Sequence, residues 1–253
     1  MSKKEIRIGL FNDLQKRFDK NIRPSYHINK KAALISIDHD FPTIISNQKA
    51  KSISVTNESV VATAKRIKRP LILVFGSAHK PGGGVISGAV AQEEDIALTS
   101  TWYFQVKDNK DYYQLPQNNL MYSEKILYLS NSLLLSDEYY QKIYPQKVSF
   151  IGCAAPNLSG MKDSGIEIHE ARIYEVLERR IAAILNFAEY HGHKDLILGA
   201  WGCGVFGLSP EKVSLIFKKV ISENHFSGNL YFPVLDKEMF TIFEKNLVKN
   251  PSS

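Results

Sequence analysis

Ile6, Leu10, Leu14 and Phe18 recur every fourth residue, which predicts an amphipathic helix over Glu5 to Lys20. Residues 21–50 keep no period, and Pro24 and Pro42 would break one, so this stretch reads as irregular. From residue 51 a repeating plan begins. Ile53 to Val55 reads as a strand and Glu58 to Ile67 as a helix. Leu71 to Phe75 (LILVF) is a buried strand that runs into a glycine-rich loop, and Ala91 to Val106 is helical in composition. Residues 107–120 form a polar, Asn- and Asp-rich loop; Ile126 to Leu129 and Val148 to Cys153 are apolar runs of strand length. Ile168 to Tyr190 is the longest predicted helix, with Ile173, Leu177, Ile181, Ile184 and Ala188 on one stripe and Gly192 as its stop. Leu196 to Ala200 is another buried strand. A helix follows it, with Ser209 as N-cap and Pro210 in its first turn. Asn229 to Val234 and Glu238 to Leu247 supply the last strand and helix. Unalternated apolar strands set between helices predict an α/β layer architecture whose sheet is covered on both faces, with some antiparallel pairs allowed.

Composition narrows the picture. The chain has 253 residues, 44% of them hydrophobic and 23% charged, which excludes a disordered chain and suits one large domain. No apolar run approaches the roughly 18 residues of a membrane span, and no cleavable apolar leader follows the first basic residues. A cytoplasmic protein without membrane association is therefore expected, and a monomer. Two cysteines, Cys153 and Cys203, are too few for a disulfide framework and lie outside any metal-ligand spacing. The formal charge of +6 is concentrated at the start: residues 1–51 hold 11 Lys and Arg against 5 Asp and Glu, and the remainder balances. We divide the chain into a basic N-terminal helical extension, 1–50, packed on a domain of residues 51–253. The basic segment suits an anionic substrate or simply a solvated face.

Two glycine loops carry the candidate chemistry. Pro81-Gly82-Gly83-Gly84 directly follows the strand Leu71 to Phe75, and three bare Cα positions let a ligand lie against backbone N–H groups. Then come Gln92-Glu93-Glu94-Asp95, opening a helix. Acids at a helix start answer the positive end of its dipole. Beside an anion-binding loop, a carboxylate pair also suits protonation of a sugar leaving group, since glycosidic cleavage passes through an oxocarbenium-like transition state. The second loop, Gly202 to Gly207 (GCGVFG), matches GxGxxG. Its acid, Asp236, lies 34 residues after Gly202, against about 20 in a dinucleotide fold. Diphosphate binding fits this loop; hydride transfer does not follow.

The remaining candidates have structural readings that outweigh chemical ones. Cys203 suits a tight loop better than nucleophilic attack, and Cys153 suits core packing. His79 reads as an exposed loop residue, His191 and His193 as helix-end residues, and Trp102 and Tyr103 as core.

The spacing Gly82-Gly-Gly, seven residues, Gln92-Glu93-Glu94 resembles the signature of poly(ADP-ribose) glycohydrolases of the macrodomain superfamily. FGSAHKPGGG (Phe75 to Gly84), TSTWY (Thr99 to Tyr103), AAPNL (Ala154 to Leu158) and LGAWGCGVF (Leu198 to Phe206) are similar to their microbial branch, over about residues 53–240. The resemblance implies a macrodomain-like three-layer α/β/α sandwich with a mixed central sheet and an N-terminal helical extension, ADP-ribose lying across the strand ends. Residue by residue it implies Glu94 as catalytic acid/base, Glu93 holding the ribose hydroxyls and Gln92 supporting the loop. Gly82, Gly83, Gly84 and Val85 would contact the distal ribose and phosphate, Gly202, Cys203, Gly204 and Val205 the diphosphate, and Phe206 the distal ribose. No metal and no cofactor are implied. The implied substrate is the ADP-ribose polymer, cleaved at its ribose–ribose O-glycosidic bond. Two alternatives stay open: hydrolysis of mono-ADP-ribose on protein or nucleic acid, and ADP-ribose binding without cleavage. Asn57 and Glu58 are candidate adenine contacts. Val74 stands where the family often has Asn, which would remove a polar group near the ligand.

Overall fold

The computed structural model describes residues 1–22, 25–26, 32–39, 49–109, 111, 125–165 and 167–248. Among them one seven-stranded mixed sheet organises the chain. Its strands are β1 (Ala33–Ser36), β2 (Ser52–Thr56), β3 (Leu71–Phe75), β4 (Lys125–Ser136), β5 (Lys142–Cys153), β6 (Asp195–Ile197) and β7 (Asn229–Pro233). They lie in the order β1-β4-β5-β3-β6-β7-β2, with β1–β4 and β4–β5 antiparallel and the rest parallel.

Alternation along β3 shows why the sheet has two buried faces. Leu71 and Leu73 enter one apolar cluster, Ile72 and Val74 the other. The first cluster is covered by α5 (Leu158–Asp163), α6 (Glu170–Tyr190), α7 (Pro210–Glu223) and α8 (Lys237–Leu247). The second is covered by α2 (Val60–Lys65), α3 (Gln92–Thr99) and α4 (Trp102–Val106), with Phe11 of α1 (Lys3–Arg17). This is the expected three-layer α/β/α sandwich around a mixed central sheet. Among the described residues no helix is long and apolar enough to cross a membrane.

Several elements differ from the sequence expectation. In α1 the inward face is Arg7, Phe11 and Leu14, while Ile6 is 44% exposed, so the helix is turned about one residue from the predicted stripe. Aromatic packing sets that rotation: Phe11 meets the Tyr103 ring edge-on at 4.9 Å. The helix ends in a π-helical turn, Phe18–Ile22, and Phe18 stacks on Phe104 at 4.0 Å. Residues 1–50 also supply β1, an edge strand inside a stretch read as irregular; Pro24 and Pro42 lie outside the described residues. The helix predicted over Ala91 to Val106 is two helices. Ser100 is extended between them, bridges to Leu134 of β4, and Thr101 N–H bonds to Leu133 C=O at 2.9 Å. β4 and β5 are 12 residues each, far longer than their apolar cores suggest, because they pair as a hairpin with a register shift between Leu129 and Ser132. Most of the 107–120 loop lies outside the described residues. Ser209 does cap α7, accepting from Lys212 N–H, with Pro210 in the first turn.

Val74 is fully buried in the same apolar cluster as Ile72, Ile96 and Ala97 and does not line the strand-end cavity. Its place is in the core, and the ligand side of this strand end belongs to Phe75. The Phe217 ring is also fully buried, packed edge-on to Phe232 at 5.0 Å between α7 and the sheet. Phe217→Ala should lower unfolding free energy by about 3–5 kcal/mol, read by urea denaturation.

Candidate active site

The strands β3 and β6 are neighbours, yet β3 leads to α3 on one face and β6 leads to α7 on the other. A crevice opens at the carboxyl ends of such a pair, where α/β sheets bind their ligands. Here it is a cavity of about 660 Å³, with walls that include Phe75 at the end of β3, Ala200 after β6, Pro233 at the end of β7 and Glu58 after β2.

Three side chains at the start of α3 reach back to the β3 loop. Gln92 bridges the strand end: its Oε1 accepts from Phe75 N–H (2.9 Å) and its Nε2 donates to Leu73 C=O (2.8 Å). Glu93, 3% exposed, accepts from Ser77 N–H at 2.6 Å and from the Trp102 indole at 3.2 Å. Glu94, 7% exposed, accepts from Gly84 N–H at 2.7 Å through Oε1, while its Oε2 has no hydrogen-bond partner. Burial pushes the Glu93 carboxyl up to about 8, with the Glu94 charge adding to the rise; the donors at Ser77 and Trp102 oppose it. Gly83 makes the approach possible. Its φ is +59°, and a Cβ there would collide with Glu94 Oε1.

Asp95, the third acid of the run, also lines the cavity but is tied to α1 and the hairpin turn. It accepts from Arg7 Nη1 at 2.7 Å and from the Tyr140 hydroxyl at 3.0 Å. Arg7, buried on α1, also donates to Ala89 C=O (2.9 Å) and to the Tyr140 oxygen (2.5 Å). One guanidinium thus ties the N-terminal helix to the end of the glycine loop, the first turn of α3 and the β4–β5 hairpin.

The second glycine loop forms the facing wall. Trp201 is buried and donates to Cys153 C=O at 3.2 Å. Gly202 has φ +80°, and a Cβ on it would stand 2.6 Å from Leu208 and 2.9 Å from Ala155. The turn closes through Leu208 N–H to Gly202 C=O (3.0 Å) and Gly207 N–H to Gly204 C=O (3.0 Å). The N–H groups of Gly204, Val205 and Phe206 find no acceptor among the described residues. Lys80 is the one Lys or Arg among the described residues lining the cavity, against Glu58, Glu93, Glu94, Asp95, Glu138 and Asp236. An anionic ligand here must therefore be met chiefly by backbone N–H groups.

Of the residues singled out in the sequence, Gly83, Gly84, Gln92, Glu93, Glu94, Gly202, Gly204, Val205 and Phe206 share this cavity. Gly82, Val85 and Cys203 do not line it. Val85 is buried in the core beneath α3, and a Cβ on Gly82 would meet the Tyr103 ring at 2.7 Å. Burial pushes the Cys203 thiol up to about 12, so it is a neutral filler of the loop. Asn57 donates to the carbonyls of Val234 and Leu235 (2.8 and 2.9 Å), a structural clasp. Glu58 does line the cavity, held by Arg66, Thr56 and Thr63 and shifted down to about 2 chiefly by the Arg66 hydrogen bond. Asp236 caps α8, accepting from Met239 N–H, and also lines the cavity. Trp102 is core, as read, but its indole N–H also holds Glu93. That role depends on the helix break at Ser100, which no local pattern announced. Ser77, Lys80 and Tyr140 had no sequence signal at all. His79 is exposed, His191 caps α6, and His193 meets the Tyr128 hydroxyl at 3.3 Å; burial lowers its imidazole to about 4.

A mixed sheet between two helical layers, with a glycine cradle clasping buried glutamates at the strand ends, defines a macrodomain-type hydrolase architecture. The chain belongs to the family described as microbial-type PARG, catalytic domain, whose model matches residues 12–137. Among solved structures it is similar to poly(ADP-ribose) glycohydrolase from Thermomonospora curvata bound to the inhibitor ADP-HPD, at 25% identity and TM-score 0.81, covering 95% of this chain and 99% of that one. It is also similar to poly(ADP-ribose) glycohydrolase from Deinococcus radiodurans in complex with ADP-ribose, at 27% identity and TM-score 0.73, covering 79% and 85% respectively. No curated protein matches.

Two outcomes test this geometry. Gly83→Ala should cut turnover by about 100-fold, because the added carbon displaces Glu94; steady-state kinetics reads it. Glu93 binds its proton more tightly folded than unfolded, so its contribution is complete below about pH 4.5 and lost as pH rises through about 8. Glu93→Gln should therefore melt higher than the wild type at pH 9, with a gap that narrows toward pH 5.

Proposed function

We propose that this chain hydrolyses the ribose–ribose O-glycosidic bond of poly(ADP-ribose), releasing ADP-ribose, with Glu94 as general acid/base. One observation carries the reading: Glu94 lines the cavity and is anchored through Oε1 by Gly84 N–H, while its buried Oε2 has no hydrogen-bond partner among the described residues. An anchored carboxyl with one free oxygen can protonate the departing ribose oxygen. As carboxylate it then takes a proton from the attacking water.

The rest of the wall supports the same chemistry. The free N–H groups of Gly204, Val205 and Phe206 suit a diphosphate. Phe206, part-buried against the core, offers a ring for the sugar. Glu93 is locked by Ser77 and Trp102 and is fitted to orient ribose hydroxyls rather than to swing toward a leaving group. The negative wall favours the positive charge that develops on the sugar ring. The substrate in this reading is the polymer, rather than ADP-ribosylated protein or nucleic acid. The working unit is a single cytoplasmic chain whose N-terminal segment, through Arg7, forms part of the catalytic unit.

Glu94→Gln should bind ADP-ribose with affinity within about twofold of wild type while kcat on polymer falls about 1,000-fold. Calorimetry and product separation read the two quantities. Undiminished release by Glu94→Gln, with loss in Glu93→Gln instead, would reverse the assignment of the two acids.

A further inference from the structure

A second concavity of about 370 Å³ lies at the far end of α2, lined by Lys65, Arg66, Ile67, Lys68, Arg69, Gln146 and Lys147. Five of these seven are cations and none is an acid. Cations at a helix C-terminus commonly answer its free carbonyls. Here Arg66 Nη1 donates to Ala62 C=O (3.2 Å) and Gln146 Nε2 to the carbonyls of Ala64 (2.9 Å) and Ile67 (2.8 Å), which leaves the other cations free of that task.

Two of the five cations already have partners: Arg66 pairs with Glu58 at 2.5 Å, and Lys65 approaches Glu138 at 3.5 Å and Asp137 at 3.9 Å. Lys68, Arg69 and Lys147 pair with no described acid. Arg69 sits at φ +55°, a left-handed conformation unusual for a side chain of its size. Like charges gathered around a hollow repel one another and gain most from a shared anion.

The position of this hollow relates it to the catalytic cavity. Ser59 and Val60 at the start of α2 line the catalytic cavity, and Lys65 at its end lines the basic one. Six helical residues, about 9 Å, separate the two. Glu58 and Glu138, the partners of Arg66 and Lys65, are themselves on the catalytic wall.

We propose that the pocket of Lys68, Arg69 and Lys147 binds a diphosphate of the substrate polymer outside the unit held for cleavage. This rests on the polymer reading above and adds a second point of attachment to it. A chain held at two places meets the catalytic cavity at raised effective concentration, so the pocket acts on polymer capture and leaves the chemical step alone. A lone hollow one helix length from the catalytic wall suits the neighbouring part of a bound substrate better than a nucleic-acid strand, which would need an extended basic track.

The test is the full chain carrying Lys68→Gln, Arg69→Asn and Lys147→Gln together, with Lys147→Glu alone as a milder second variant. Wild-type release of ADP-ribose from polymer is measured first; if it is absent, the proposed function fails and the pocket is not at issue. With an active wild type, the triple variant should raise KM for long polymer about tenfold and flatten its salt dependence. It should leave kcat and the affinity for free ADP-ribose unchanged. Lys147→Glu should move KM in the same direction. Unchanged polymer KM in both variants would overturn the proposal. So would equal losses for polymer and free ADP-ribose, or a loss confined to binding of a single-stranded oligonucleotide.

Discussion

The peptide N–H of Gly84 holds the carboxyl group of Glu94 at the wall of a cavity, and much of the molecule is arranged so that this contact survives. The loop can approach α3 so closely only because Gly83 is left-handed and bare. The helix start cannot retreat, since Gln92 is fastened at two points along one edge of the β3 end. Glu93 is fastened in turn by Ser77 and Trp102, and Trp102 can reach it because β4 interrupts the helix at Ser100. A contact that would be weak at an exposed surface is thereby made in a buried setting, where an unanswered charge is costly and an answered one is well oriented.

That setting also sets local proton affinities apart. Glu93 is deep and its burial outweighs two donors, so it holds a proton well above the ordinary carboxyl range. Glu58, on the same cavity wall, is driven the other way by Arg66 and hydroxyl partners. Two carboxyls on one wall thus carry opposite tendencies, set by solvent access and by the donors each one meets. The cavity combines acid walls with free peptide N–H groups, an arrangement that meets an anion without strong fixed cations and leaves room for positive charge on a sugar.

Much of this was legible in the chain. Leu71 to Phe75 could be read as a strand buried on both sides, and the triple glycine with the following glutamates as a site, because those signals are local. Ser209 and Pro210 marked a helix start for the same reason. What was not legible depended on contacts made far away in sequence. Phe11 rather than Ile6 turns inward because Tyr103 and Phe104 wait there. Ser100 breaks a helix of good composition because Leu133 and Leu134 pair with it. The long hairpin hides its length behind polar positions, exposed at Asn131 and Tyr144 and buried at Ser132 and Ser136, that interrupt its apolar runs. Val74, read as a change near the ligand, is a core residue that does not line the cavity. The strand alternation was visible; which face met the crevice was not.

Arg7 has a consequence for how the protein is made. Its partners Asp95 and Tyr140 stand 88 and 133 residues further along the chain. During synthesis the first helix therefore leaves the ribosome long before anything exists to receive its guanidinium. The glycine loop and α3 can be complete while the clamp across them is still open. Only when the β4–β5 hairpin turn has emerged can the three pieces be tied together, so this side of the cavity is braced past the midpoint of translation, and a nascent chain released before that point would carry both glutamates without the Arg7 clamp.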